Sequence, residues 1–353
     1  MGDKRIKVGV LGISGCGATM VEALQSCERV DLIALADRDA DLAKQRAAEL
    51  GVEGYDDYRS LVVEQPMEVL FVSAPPFACQ EHLKLAASRG IHVWRETPLA
   101  RTVQEAVDLL ESFESHGAHL TVCRSWRFIG MGGGIADPCE WIGQPYSARG
   151  LTLAYRPDPL GWRGDSERAG GGALIDQAYE LVDAVVQWMG LPDRVVATTT
   201  RRPGTQPYDT EDTASVTLGY LDGSMASIIA HRRSHPPTWS LTFDGPKGTL
   251  VIEPPQVIIR TFEGREVRQP RPDTRSIYAA QIDAFLRAIL SEGKGCPSGA
   301  REHLATVAVI ETAYLSARTG EPESPAKLYN LHDLPLPTAV AGPDEHENEA
   351  PEQ

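Results

Sequence analysis

The chain has 353 residues and a formal net charge of −15, long enough for two hydrophobic cores and too acidic to favour nucleic acid or an anionic membrane as partner. No apolar run approaches the roughly 20 residues of a membrane span, and the start Gly2-Asp3-Lys4-Arg5 does not read as a signal peptide. Six cysteines without a C-x-x-C pair predict neither a disulfide framework nor a metal site, and a reducing cytoplasm is the expected setting.

Val8, Val10 and Leu11 predict a short buried strand, followed by Gly12-Ile13-Ser14-Gly15-Cys16-Gly17 and the helical spacing of Ala18, Met20, Val21 and Leu24. A strand that feeds a helix through a glycine turn points backbone N–H groups and the positive helix end at one spot, which suits a pyrophosphate. The G-x-G-x-x-G pattern is met at Gly12 and Gly17 but carries Ser14 in its middle. Asp31 to Ala36 predicts a second strand ending at Asp37. There a carboxylate accepts from a ribose diol and repels a 2′-phosphate, so NAD is expected over NADP. Arg38 beside it works against that preference and leaves NADP possible. The same loop nearly spells the hydrolase elbow G-x-S-x-G, but its fifth residue is Cys16, and Asp37 fits dinucleotide binding better.

Strand and helix patterns then alternate. Helices are expected at Leu42 to Leu50, from a cap at Asp56 through Leu61, Val62 and Val63, at Gln80 to Arg89 and from Thr102 to about Ser115, with strands at Val69 to Ser73, Ile91 to Trp94 and Leu120 to Cys123. That order predicts a doubly wound parallel sheet over residues 1–123, with its site at the strand C-termini. Ala74 and Pro75, after one strand, and Glu96-Thr97-Pro98, after the next, fall on that rim.

From residue 124 to about 330 the texture changes to alternating segments and tight turns such as Asp222-Gly223 and Gly245-Pro246-Lys247-Gly248. They predict an α+β domain with a large, mostly antiparallel sheet, helices covering one face. Its other face is a candidate subunit interface, so a homodimer or homotetramer is expected. Residues 334–353, rich in acid, Pro and Ala, read as a disordered tail.

Within this half, Gly170-Gly171-Gly172 opens a helix read as continuous from Leu174 to Met189. Asp176 and Glu180 then lie four apart on one face, where two carboxylates repel and one can hold a proton, a plausible acid/base pair. Tyr179 or Tyr155 is a nearby donor. Arg127, Tyr155 and Arg163 are candidates for binding a polar or anionic substrate.

With these motifs assembled, the chain resembles the glucose–fructose oxidoreductase / inositol dehydrogenase / rhizopine catabolism (Gfo/Idh/MocA) family over roughly residues 5 to 325. The resemblance rests on the glycine loop, Asp37, Glu96-x-Pro98, Trp162-Arg163, Gly170-Gly171-Gly172-Ala173-Leu174-x-Asp176, Glu211-Asp212-Thr213-Ala214-Ser215 and Ser316-Ala317-Arg318-Thr319-Gly320. It implies a Rossmann domain, a C-terminal sheet domain, NAD(P)-dependent chemistry at a sugar or cyclitol carbon, and oligomers built on the open sheet. It also implies cofactor contacts at Gly12, Ser14, Gly15, Cys16, Gly17, Asp37, Arg38, Ala74, Pro75 and Glu96.

Four departures stand out. The family's Glu-Lys-Pro reads Glu96-Thr97-Pro98, and its Asp-x-x-x-His reads Asp176 to Glu180. Its Thr-Pro-Asn turn reads Ala74-Pro75-Pro76, and the histidine shortly after that reads Cys79. A neutral threonine neither takes a proton nor offers positive charge to an alkoxide. Three readings follow: an NAD(P)-linked oxidoreductase with a rewired acid/base set centred on Asp176 and Glu180, with Thr97 and Tyr179 completing the catalytic site; an enzyme in which NAD assists elimination or hydrolysis of a sugar; and a non-catalytic NAD-binding sensor or scaffold.

Overall fold

The computed structural model describes residues 5–128, 139–157, 160–202, 208–253, 256–270, 272–290 and 299–337. The acidic tail lies outside the described residues from 338 on.

The first half alternates as its sequence predicts: β1 (Ile6–Leu11), α1 (Cys16–Gln25), β2 (Val30–Ala36), α2 (Ala40–Leu50), β3 (Glu53–Tyr55), α3 (Tyr58–Glu64), β4 (Val69–Val72), α4 (Pro76–Ser88), β5 (His92–Arg95), α5 (Val103–Ser115) and β6 (Leu120–Val122). All pairings are parallel, in the order β3-β2-β1-β4-β5-β6. The order reverses between β1 and β4, and a crevice at the carboxyl ends of such strands is where ligands bind. β4 is buried at every residue, as a strand covered by helices on both faces must be. α2, α3 and α5 each start on a side-chain cap, from Asp39, Asp57 and Thr102. α1, whose N-cap is Gly15, has no side-chain cap, and neither does α4 after Pro75.

Next come α6 (Ser125–Phe128), α7 (Cys139–Ile142), β7 (Ser147–Tyr155), α8 (Ser166–Ala169), α9 (Ala173–Gln177) and α10 (Tyr179–Met189). Strands β8 (Arg194–Thr200), β9 (Thr213–Gly219), β10 (Met225–His231), β11 (Arg233–Gly245), β12 (Gly248–Glu253), β13 (Gln256–Thr261) and β14 (Glu266–Pro270) follow. They form an eight-stranded sheet, β14-β13-β12-β11-β7-β10-β9-β8, antiparallel except where β7 meets β10. Along β8 to β10 every second residue is buried, the period of a sheet with one covered face.

Three helices close the chain: α11 (Thr274–Leu290), α12 (His303–Thr319) and α13 (Ala326–Leu331). α12 covers the inner face of β8, where the Ser316 hydroxyl accepts from Ala197 N at 3.1 Å. α11 runs back to the first sheet. Its Phe285 packs edge-on against Phe71 of β4 and its Tyr278 against Trp94 of β5, with centroids 6.0 and 5.8 Å apart. Burying such rings contributes about 1.5–3 kcal/mol each, so α11 anchors firmly over α1.

One expectation is corrected. Leu174 to Met189 is two helices, broken at Ala178 (φ −100°, ψ 1°). α9 is held by its own anchor: the Glu211 carboxylate accepts from Gly172 N at 2.7 Å and Leu174 N at 2.9 Å. α10 then restarts with Val182 N donating to Ala178 O. Asp176 and Glu180 therefore do not share one helical face.

Candidate active site

The glycine loop has the shape that dinucleotide binding needs. A Cβ on Gly17 would lie 2.1 Å from Gly12 O, and one on Gly12, at φ +84°, 2.9 Å from Ala74 N. Both glycines let β1, α1 and the end of β4 close together. Gly15, at φ +56°, has nothing within 4 Å of its Cβ position. Open space in front of an uncapped helix start leaves N–H donors and room for a pyrophosphate. Asp37, buried at the end of β2, accepts from Ile13 N at 2.9 Å and from Asp39 N at 3.0 Å. Its carboxylate thus faces the loop, with lone pairs left for a ribose diol. Arg38 stacks its guanidinium on Phe77 and Tyr58, 5.4 and 5.8 Å from their centroids.

Beside the loop lies a cavity of about 300 Å³, walled by Ser14, Gly15 and Cys16, by Ala74 and Pro75, by Glu96 and Thr97, and by Arg156, Arg163 and Asp176. Asp176 accepts through Oδ1 from Arg163 Nε at 2.8 Å. Arg163 in turn stacks on Trp162 at 4.3 Å. Oδ2 of Asp176 stands 3.5 Å from Arg156 Nε, yet both atoms are buried without a hydrogen-bond partner. An unmade hydrogen bond on a buried polar atom costs about 1–3 kcal/mol, and a hydroxyl group, which both donates and accepts, satisfies the two atoms at once.

Glu96 forms another part of the wall. Tyr278 of α11 donates its hydroxyl to Glu96 Oε1. Burial pushes the Glu96 carboxyl up to about 7, the Glu180 carboxylate adds to the rise, and the Tyr278 and Cys123 hydrogen bonds oppose it. Glu180 itself accepts through Oε1 from Ser125 N at 3.1 Å and is not part of the cavity wall. The thiol of Cys16, at the start of α1, is raised by burial and by Glu96.

Residues 6–123 match the family described as "Oxidoreductase family, NAD-binding Rossmann fold", and residues 140–251 match the "GFO/IDH/MocA C-terminal domain". The chain belongs to the Gfo/Idh/MocA family. A D-xylose 1-dehydrogenase (NADP(+)) of Haloferax volcanii is 27% identical over 324 residues, covering 88% of this chain and 97% of that one. Among solved structures, a levoglucosan dehydrogenase in complex with NADH and L-sorbose superposes with a TM-score of 0.82 at 21% identity, covering 91% of this chain and 98% of that one. An Agrobacterium radiobacter oxidoreductase in complex with NAD+, L-tartaric acid and magnesium does so with a TM-score of 0.79 at 17% identity, over 92% and 100%. These two likenesses describe the fold.

Within this Gfo/Idh/MocA chain, the residues singled out by sequence fall into two groups. Ser14, Gly15, Cys16, Ala74, Pro75, Glu96, Thr97, Arg163 and Asp176 meet at the cavity. Tyr179, Arg127 and Tyr155 do not line it. The Tyr179 hydroxyl is buried against Leu99 N and His303 Nδ1, both at 3.4 Å, so no ligand in the cavity reaches it. Arg127 pairs with Glu302 at 3.5 Å. Tyr155 is half exposed and stacks on His235, centroids 4.6 Å apart. Sequence reasoning did not single out Tyr278, because an isolated tyrosine on an amphipathic helix carries no motif.

Proposed function

We propose that this protein is an NAD-linked oxidoreductase that interconverts a hydroxyl-bearing carbon and a carbonyl on a sugar, cyclitol or related polar small molecule. The acid/base groups of the cavity are carboxyls rather than lysine and histidine. The observation that carries the reading is the juxtaposition of Asp176 Oδ2 and Arg156 Nε. This buried acceptor and donor, ion-paired at 3.5 Å but without a hydrogen bond, belong to residues that wall one cavity with the glycine loop.

NAD would be held by the N–H groups around Gly15, with its ribose on Asp37, and when bound it supplies a hydride acceptor. Asp176 and Arg156 grip a substrate hydroxyl between them. Arg163 fixes the Asp176 carboxylate through its Nε hydrogen bond, and Trp162 fixes Arg163 by stacking. Thr97 contributes shape and a hydroxyl but no proton acceptor. The names of two relatives, D-xylose and levoglucosan dehydrogenases, support a sugar as substrate class.

The test is NADH formation, followed by absorbance, from D-xylose, levoglucosan and a panel of cyclitols and sugar acids, beside NAD binding by calorimetry. Turnover with any of them supports the reading. Tight NAD binding with no turnover across the panel supports instead a non-catalytic NAD-binding role, which the neutral Thr97 favours. Failure to bind either nucleotide overturns both.

A further inference from the structure

Glu96 lines the cavity, its carboxyl accepts from Tyr278 and Cys123, and the charge of a second carboxyl, Glu180, acts on it. The groups around it come from four separate elements: Tyr278 on α11, Glu180 on α10, Cys123 at the end of β6 and Cys16 at the start of α1. None is a cation. Arg156 and Arg163 lie across the cavity, and Arg163 is engaged by Asp176. An acid surrounded in this way is disfavoured as an anion, and a like-charged neighbour disfavours it further.

We propose that Glu96 is the proton-exchanging group of this cavity, with Glu180 and Tyr278 as positioning residues that set the pH at which it exchanges. The inference rests on the oxidoreductase reading for its chemistry. As a carbinol is oxidised, its O–H bond breaks and the proton joins the Glu96 carboxylate. The O–H electron pair becomes the second C–O bond of the carbonyl, while the carbon loses hydride to the nicotinamide cofactor. In the reverse direction the Glu96 acid returns that proton to the new alkoxide. A base is most effective when it titrates near the working pH, and burial with Glu180 brings Glu96 to about 7. Glu180 keeps its backbone anchor on Ser125 N throughout. It therefore acts by charge, without touching the ligand.

The experiment is an infrared titration of carboxyl stretches in the full-length protein without nucleotide, run beside the pH profile of NADH formation from D-xylose and levoglucosan. A carboxylic acid should lose its proton near neutral pH, and Glu96→Gln should abolish that signal. Glu180→Gln, which keeps the Ser125 bond but removes the charge, should move the midpoint down. Tyr278→Phe, which removes a donor to the anion, should move it up. Turnover should fall about 100-fold or more in Glu96→Gln, and the pH profiles of the other two variants should follow their infrared midpoints. No near-neutral carboxyl titration, one that survives Glu96→Gln, or turnover that Glu96→Gln leaves intact overturns the proposal. A native titration of the stated kind with no turnover on the whole panel defeats the dehydrogenase reading and leaves the proton-exchanging Glu96 standing.

Discussion

Tyr278 donates its hydroxyl hydrogen to Glu96 across 182 residues of sequence. The contact exists because α11 returns from the second sheet to pack on the first, which places a phenol beside an acid that has left bulk water. The consequence for stability has a definite sign. The Glu96 carboxyl is raised from an ordinary 4.5 to about 7 by burial and Glu180. Between those values the folded protein holds a proton that the unfolded chain has released. Its contribution to stability is therefore present below 4.5 and lost as pH rises through 7. Glu96→Gln, which still accepts from Tyr278, should raise Tm relative to the native protein at pH 8 by about 2–4 °C. At pH 4 it should leave Tm unchanged. Calorimetry at the two pH values checks this, and an equal difference at both refutes it.

The loop-facing carboxylate of Asp37 predicts cofactor choice. NAD should bind more tightly than NADP, since the 2′-phosphate would meet a buried anion that already serves Ile13 and Asp39. Asp37→Ala should weaken NAD binding by on the order of tenfold or more and narrow or reverse the preference. Calorimetric titration of both nucleotides decides it, and tighter NADP binding by the native protein would sink the idea.

Much of this was legible in the sequence, for local physical reasons. Strand β1, the glycine turn and helix α1 are specified by residues a few positions apart, as are the hairpin at Asp222-Gly223 and the cap at Thr102, whereas the cap of α3 falls on Asp57, one residue after the Asp56 that the sequence suggests. The site was only half legible. Periodicity placed Asp176 and Glu180 on one helix because Leu174, Ala178 and Val182 keep an unbroken apolar spacing. Nothing in that spacing reveals that Glu211, 37 residues beyond Leu174, caps a separate first turn. Tyr179 reads as a donor by proximity in sequence, but its direction is set by His303 on α12. The Glu96 environment depends on α10, β6 and α11 meeting, a long-range fact that no local pattern carries.

A buried charge cluster around Asp183, away from the cavity, predicts acid sensitivity. Asp183 accepts from Arg124 at 2.7 and 3.0 Å, from Trp126 at 2.8 Å and from Thr306 at 2.9 Å. Burial opposes its ionisation, but His303 beside it, the Arg124 charge and the hydrogen bonds from Arg124 and Trp126 hold its carboxyl below the usual range. Burial pushes its neighbour His303 down to about 3 from 6.5. The unfolded chain binds the histidine proton below 6.5, whereas the folded one resists until about 3. Stability is therefore lost as pH falls through that window, and the Asp183 contribution is lost in the same direction at lower pH. Removing one partner of a buried pair costs about 3–5 kcal/mol. Asp183→Asn should accordingly lower stability by that order at pH 7 in urea melts. A loss under about 1 kcal/mol would show the cluster to be dispensable.

The outer face of the second sheet predicts assembly. Val196, Met225 and Ile229 are exposed by 41%, 51% and 43%, and the strand registers put them on one face, opposite the face α12 covers. Such an apolar face is commonly an interface, so sedimentation at micromolar concentration should give a homodimer or homotetramer. Ile229→Asp should shift the distribution toward monomer. A native protein that sediments as a monomer refutes the expectation.

The last prediction separates substrate grip from cofactor binding within the cavity. Asp176→Asn preserves the shape of the side chain but removes the charge that Arg163 holds at 2.8 Å and Arg156 faces at 3.5 Å. Two guanidinium groups are then left without their counter-ion, and an amide that has to orient one NH2 toward them presents the wrong partner to a hydroxyl. Hydrogen bonds to charged groups are worth about 1.5–3 kcal/mol, so KM for whichever sugar is turned over should rise about 10- to 100-fold. The Kd for NAD should stay within about twofold, because Asp176 is held by Arg163 and Arg156, whereas the nucleotide is assigned to the loop around Gly15 and to Asp37. Thr97→Lys combined with Glu180→His, which puts a cation on the cavity wall and removes the charge acting on Glu96, should move the pH profile toward lower values. Unchanged KM in Asp176→Asn, or a parallel loss of NAD affinity, would mean that the Asp176–Arg156 pair does not hold the substrate.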